Sequence, residues 1–385
     1  SAGTLLDENS SVPSANLTGT VADARISALT ASKLTGDLPA ISGVNVTNVH
    51  AVNSGKKNMI INGAMNVAQR SSSAVAQADS SNEGYATLDR WHLQFASACP
   101  GTVTTSKSTE APAGFRSSIK LDCTGTGTPV DTTNDYIRLY QKIEGQNLQG
   151  LAFGTSSAKS ITFSWYMKST TYTDPISIHF LAYGTPANEY YNVSVTPTTS
   201  WAKYSITVPG STSLTFPDTN ASGLNIGFTV AGPATPEHTQ SGSSSGWSTT
   251  VSNAVTDIGN LVSSTNNVLY ITGVQLELGS VATNFEHRSY GEELALCQRY
   301  FSIKENLWGD TGGTSGHRFA PRYDFPCTMR VNPTITLSNI TNLSSMTSPL
   351  PNATRKEGTH LYANLTATVI DASFTVGLMT ADAEL

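Results

Sequence analysis

Charged side chains are scarce in this sequence. They make up 13% of its 385 residues, about half the roughly 25% usual in soluble domains. Helices populate their solvent faces with Glu, Lys, Ala and Leu, so the shortage argues against a helical protein. Basic residues are few as well, 22 against 28 acidic ones, and they are scattered, for a net charge of −6. Phosphate backbones are held by clustered Lys and Arg, so no nucleic-acid partner is expected. No apolar run approaches the roughly 18–20 residues of a membrane-spanning helix, so no membrane insertion is expected. Residues 1–7 lack the basic start of a signal peptide. Cysteine is limited to Cys99, Cys123, Cys297 and Cys327, with no C-x-x-C pair, which removes zinc-ribbon and thioredoxin-like sites. Buried free thiols are the expected state. Should disulfides form, Cys99–Cys123 and Cys297–Cys327 is the sequence-nearest pairing.

Signatures of catalysis are missing too. His50, His92, His179, His238, His287, His317 and His360 are dispersed, with no H-x-x-x-H spacing, so no metal site is expected from them. The glycine-rich stretch at 309–316 lacks the Lys-Ser/Thr ending of a phosphate loop and reads as a flexible loop. No G-x-S-x-G elbow occurs. A glycosidase needs two rigidly held carboxylates about 5–9.5 Å apart. Most acidic residues here fall in turns or at a helix start, leaving Glu144, Glu277 and Glu286 as strand-associated exceptions, and Glu277 reads as an exposed strand residue. The expectation is a protein without catalytic residues, metal or cofactor. Asn-x-Ser/Thr triplets at Asn16, Asn192 and Asn364 are what chance supplies in so Ser/Thr-rich a chain.

What is present points to an all-β chain in three parts. Residues 1–57 carry Leu17-Thr18-Gly19-Thr20, repeated as Leu34-Thr35-Gly36-Asp37, and read as an extended repeat segment that cannot bury enough apolar surface alone. Residues 58–288 alternate with period two and read as a jelly-roll-like β-sandwich. Ile161, Phe163, Trp165 and Met167 share a face, as do Ile137 and Leu139, Ile176 to Phe180, and Leu224 to Val230. In Val268–Leu278 the phase shifts across Gly273, which predicts a bulge. Residues 289–385 read as one short helix and a smaller C-terminal β-domain. Ser289 and Glu292 fit a capping box, and Leu294, Cys297 and Phe301 are expected on one helical face. Later strands are marked by Leu361 to Val369 and by Phe374, Val376 and Leu378.

Sugar binding is the chemistry this composition leaves open. Aromatic faces stack on sugar C–H surfaces while amides and hydroxyls meet the sugar hydroxyls. Trp165, in phase with Ile161 and Phe163, and Trp91 read as core. Aromatic and basic residues in polar, turn-rich segments are the candidate ligand contacts: Tyr190, Tyr191, Trp247, Trp308, His317, Arg318 and Tyr323.

Three stretches resemble bacteriophage tail-fibre and receptor-binding structural proteins. They are Asn58-Met59-Ile60-Ile61-Asn62-Gly63-Ala64-Met65, with Ala68-Gln69-Arg70 and Asp89-Arg90-Trp91; the run from Gly273 through Phe285-Glu286-His287-Arg288 to Cys297-Gln298-Arg299-Tyr300; and Asp382-Ala383-Glu384-Leu385. The leading repeat is similar to fibre-shaft repeats, and the sandwich resembles carbohydrate-binding-module jelly rolls. The resemblance implies a virion-borne homotrimer, joined to other phage tail proteins through its N-terminal segment and recognising a host-surface glycan or protein. A head fibre or tail accessory protein with no receptor role, and a polysaccharide depolymerase, are the alternatives.

Overall fold

Most strands follow from alternation, and the computed structural model describes residues 57–385 apart from 97–98, 132–133, 234–238 and 241–245. The Leu-Thr-Gly repeat lies outside the described residues. In chain order the strands of the sandwich are β1 (Val75–Gln77), β2 (His92–Ala96), β3 (Thr102–Ser108), β4 (Ser118–Gly125) and β5 (Tyr136–Glu144). They continue as β6 (Ile161–Lys168), β7 (Ile176–Ala182), β8 (Glu189–Val195), β9 (Ala202–Val208) and β10 (Ser222–Ala231). A short pair, β11 (Thr239–Gln240) and β12 (Ala254–Val255), precedes β13 (Val268–Leu278). One sheet runs β1-β3-β4-β13-β6-β9 and the other β2-β5-β10-β7-β8. Every neighbouring pair in both is antiparallel. This is a β-sandwich of the jelly-roll kind.

The expected apolar faces meet between the sheets. Phe163, Trp165, Ile178, Phe180, Ile226 and Phe228 are fully buried there. Phe163 stands 5.8 Å from Phe180 and 5.7 Å from Phe228 across the two layers. Each such side chain contributes about 1.5–3 kcal/mol through burial. Trp91 is buried beside Phe228, as the sequence suggests. All four cysteines are free thiols, and Cys99, Cys123 and Cys297 are buried.

The bulge expected in β13 is present. The register against β6 shifts between Thr272 and Gln275, and Gly273 takes φ +62°, a conformation that suits glycine. The shift turns Val274 and Leu276 inward after Leu269 and Ile271. The 58–63 segment docks on this bulge. Val274 N–H donates to Gly63 O (2.9 Å), and Asn58 Nδ2 donates to Val274 O (3.0 Å). A Cβ at Gly63 would overlap the Val274 carbonyl oxygen, so this approach needs glycine.

Helix α1 (Tyr290–Gln298) carries the predicted capping box, with Ser289 and Glu292 bonding reciprocally. Its inward side departs from expectation. Phe301 lies beyond the helix, in β14 (Phe301–Gly313), and the buried helix residues are Glu293 and Cys297. The Glu293 carboxylate accepts from Asn62 N–H (2.6 Å) and from Arg288 Nη1 (3.3 Å). A polar anchor therefore orients this helix in place of an apolar stripe.

The remaining strands are β15 (Arg318–Phe319), β16 (Arg322–Asp324), β17 (Thr334–Ser344), β18 (Leu350–Asn352), β19 (Gly358–Asn364) and β20 (Val369–Asp382). They form a sheet β14-β20-β17 and a smaller one in which β19 pairs with β15, β16 and β18. Their own core holds Met329, Leu361, Phe374, Val376 and Met379. Two expectations need correction here. Much of the expected glycine loop is strand, with Gly309 to Gly313 paired to β20. Leu378 also leaves the face of Phe374 and Val376, and Met379 and Ala381 replace it. The phase changes where Asn306 and Asn339, on the two flanking strands, both take positive φ beside Gly377.

The two cores are joined through charge. Arg90, 0% exposed, lies over the Tyr300 ring at 3.5 Å and pairs with Glu384. Arg70 stacks on Phe301 at 3.7 Å and reaches Asp382 (2.9 Å) and Glu384 (3.2 Å). Glu144 accepts two bonds from Arg299 (2.9 and 2.8 Å) and one from Tyr300 Oη. Burial pushes the Glu144 carboxyl up, and these bonds outweigh it, leaving it below the ordinary carboxylate value. Residues of the 58–91, 273–300 and 382–385 stretches thus converge on one polar network.

Candidate functional site

In a sandwich strand the inward apolar residues dictate what the alternate positions show outside. On β5, Ile137 and Leu139 face the core, so Tyr136, Arg138 and Tyr140 face outward. On β10, Leu224, Ile226 and Phe228 point in while Asn225, Gly227 and Thr229 point out. On β7 and β8 the outward residues include His179, Tyr190 and Asn192. The register aligns His92, Tyr140, Gly227, His179 and Asn192 in one row across five strands. A second row holds Lys142, Asn225, Leu181 and Tyr190. Gly227 puts no side chain between Tyr140 and His179.

Tyrosine dominates this face. Tyr136, Tyr183 and Tyr190 are half-buried and Tyr140 is buried. Arg138 lies over the Tyr136 ring at 4.2 Å. Asn225 Nδ2 donates to Tyr183 Oη at 3.2 Å, and the His179 and Tyr190 rings are 6.4 Å apart. On the β2 side the aromatic track continues, Tyr140 to His92 at 5.0 Å and His92 to Tyr85 at 4.9 Å. Burial raises the phenols of Tyr140, Tyr183 and Tyr190 above their ordinary value, so each presents a neutral hydroxyl at neutral pH. Ring faces, neutral hydroxyls and amides in one place are suited to a polyhydroxylated ligand.

The seven residues singled out from sequence fall in three separate places. Tyr190 belongs to the tyrosine face, held there by backbone bonds in both directions with Ser248 (2.8 and 3.0 Å). Tyr191 is its neighbour in a strand and so points the other way. It is 6% exposed, packed against Phe180 and Trp247, which corrects its reading as a surface residue. Trp247 rests on the sandwich core against Phe153 and Phe180, with Nε1 donating to Pro209 O at 2.7 Å. The other four are in the C-terminal part, Trp308, Arg318 and Tyr323 in β14, β15 and β16 and His317 just before β15. Trp308 is 59% exposed, and its carbonyl accepts from Tyr323 Oη at 2.9 Å. Tyr323 packs against the C-terminal core, Arg318 covers the Tyr362 ring at 4.2 Å, and His317 is exposed. Sequence reasoning missed Tyr136, Arg138, Tyr140, Tyr183 and His179. The available signal was the polar half of the alternation whose apolar half marked the strands.

The strand-associated carboxylates are engaged in holding the fold. Glu277, expected to be exposed, is buried and accepts from Thr283 N–H (2.9 Å), Thr283 Oγ1 (2.6 Å) and Gln275 Nε2 (2.9 Å). Glu286 accepts from the Lys57 and Asn58 amides (3.0 and 2.8 Å). Among the described residues no group of three or more His, Cys, Asp or Glu side chains could hold a metal ion. A cavity of about 650 Å³ beside the junction is lined by Arg70, Tyr85, Thr336 and Asp382. Its arginine is already paired with Asp382 and Glu384.

By sequence, the chain matches neither a known protein family nor a characterised protein. Similar solved structures include a putative sugar-binding protein from Bacteroides thetaiotaomicron, 12% identical over 58% of this chain and 100% of that one, with a TM-score of 0.30. The family 11 carbohydrate-binding module of Clostridium thermocellum, in complex with a β-1,3-1,4-mixed-linked tetrasaccharide, is 13% identical over 51% of this chain and 91% of that one, TM-score 0.28. The enzymatically active domain of tailspike protein 4 of bacteriophage CBA120 is 16% identical over 57% of this chain but only 21% of that one, TM-score 0.27. At scores this low, what those proteins bind is a property of those proteins. The reading of this chain rests on its own residues.

Proposed function

We propose that this chain is a tail-fibre-type bacteriophage protein that attaches to a host-surface glycan without converting it, the glycan lying on the tyrosine-lined face. The observation that carries the reading is the set of four tyrosines, Tyr136, Tyr140, Tyr183 and Tyr190, gathered with Arg138 and His179 on one sheet face. Residues 1–57 join the protein to other tail components, and three copies assemble in the virion. Attachment strength then comes from several weak sites acting together. The engagement of Glu144, Glu277 and Glu286 within the fold supports binding without hydrolysis.

A glycan array probed with the full chain tests this. Tyr183→Ala and Tyr190→Ala are each expected to weaken binding about tenfold, while Trp308→Ala leaves it unchanged. Absence of binding to every glycan, or equal affinity in all three variants, would overturn the proposal. Release of reducing sugar from a bound polysaccharide would favour a depolymerase instead.

A further inference from the structure

We propose that the ligand of this face is an acidic sugar, its carboxylate taken by Arg138. The proposal rests on the glycan-binding reading above and narrows it.

Arg138 is 4% exposed and stands on the outer side of the sheet, between Tyr136 and Tyr140. Its Nε donates to Thr229 Oγ1 (2.9 Å) and its Nη2 to Asn253 O (2.6 Å), both neutral oxygens. Two of the five guanidinium N–H groups are used in these bonds, and the Tyr136 hydroxyl also engages the guanidinium. Among the described residues no carboxylate forms an ion pair with it. Arg90, the other buried arginine, is by contrast paired with Glu384, while the part-buried Arg330, like Arg138, donates to neutral oxygens. Burying a cation without an anion is costly, and the guanidinium cannot escape the cost by losing its proton. Tyrosine hydroxyls and rings are what surround it instead: Tyr136, Tyr140 and Tyr183 are its polar neighbours. A carboxylate arriving among them would supply the missing charge in the bidentate geometry that arginine favours.

His179 supplies no compensating charge. It is fully buried, on the same face, and its Nδ1 lies 2.9 Å from Asn192 Oδ1. The Asn192 amide nitrogen donates to Ser252 Oγ (2.8 Å), which makes Oδ1 the acceptor and puts the imidazole proton on Nδ1. Nε2 is then a lone-pair acceptor, and among the described residues it has no hydrogen-bond partner. Burial and the charge of Arg138 keep the ring neutral, with its one proton on Nδ1. One anion site on a tyrosine-walled face describes a carboxylate-bearing sugar and not a neutral glucan.

The test compares polygalacturonate, alginate and hyaluronan with the same polymers after reduction of their carboxyls to alcohols, beside neutral β-glucans and dextran sulfate, all titrated against the full chain. Binding of an acidic polymer that falls about thirtyfold or more on carboxyl reduction, and equally in Arg138→Gln, is the expected result. Should Arg138→Gln fail to fold, the reduced polymer on the native chain makes the same comparison. Neutral glucans bound as well as acidic polymers, with loss in Tyr190→Ala, would overturn the acidic-sugar inference and leave glycan binding standing. Dextran sulfate bound as tightly as the carboxylates would replace sugar recognition by bulk charge and overturn it too. No binding to any polymer would overturn both.

Discussion

His92 and His179 stand in one row of the tyrosine face, in surroundings that oppose a positive charge. Burial, with the charges of Lys142 and Arg70, holds His92 at about 4, below its ordinary 6.5. The unfolded chain takes up this proton near pH 6.5 and the folded chain only near 4. The associated stability is therefore complete above pH 6.5 and is lost as pH falls towards 4. Thermal unfolding midpoints are expected to drop between pH 7 and 4.5, and His92→Gln to flatten that slope. An unchanged slope in His92→Gln would count against the account. At this scale the sequence was legible wherever residues are apolar. Phe163, Trp165 and Phe180 announce their burial by phase alone. The polar half of the same alternation, Tyr136, Arg138 and Tyr140, was equally visible but carries no meaning until the sheet brings Tyr183 and His179 alongside. Tyr190 and Tyr191 show the limit of composition. Adjacent strand residues point oppositely, so both could not lie on one surface. Trp247 is placed by Phe153 and Pro209, partners that no local pattern names.

Among elements, two devices identified in sequence act as expected, the bulge at Gly273 and the capping box of α1. Their energetic weights differ. Ser289→Ala removes one cap bond and should cost about 1 kcal/mol. Gly63→Ala forces the 58–63 segment away from the bulge and should cost more than about 1 kcal/mol. Chemical denaturation of the two variants checks this order, and equal midpoints would show that the segment is not fixed by its close approach to Val274. Phe301 was misplaced on the helix because its apolar spacing continues the helical pattern. Its backbone instead pairs with Asp382 in β14. Glu277 was misread because its phase puts it outside the sandwich, where the 279–286 segment then covers it through Thr283.

For the whole molecule, the motifs that suggested a phage protein turn out to do structural work at the junction of two cores. The Arg90 and Glu384 side chains are both buried there, and removing the carboxylate leaves the Arg90 charge unpaired. Glu384→Ala should cost about 3–5 kcal/mol, read as a loss of midpoint in denaturant unfolding. A change under about 1 kcal/mol would mean the junction is held by packing alone. Assembly is argued at this scale too. The proposed trimer predicts a native mass near three times the 40.6 kDa of one chain, measured by light scattering after size exclusion. A clean monomer would reduce residues 1–57 to a linker and make an isolated binding module the better account.

The central claim is that a glycan lies on the tyrosine face of the five-stranded sheet. A crystal structure of the full chain with the best ligand from the array tests it most directly. The account predicts sugar density over Gly227, flanked by Tyr140, Tyr183 and Tyr190, with a carboxylate at Arg138. Density on the C-terminal sheet at Trp308, with the tyrosine face empty, would contradict it.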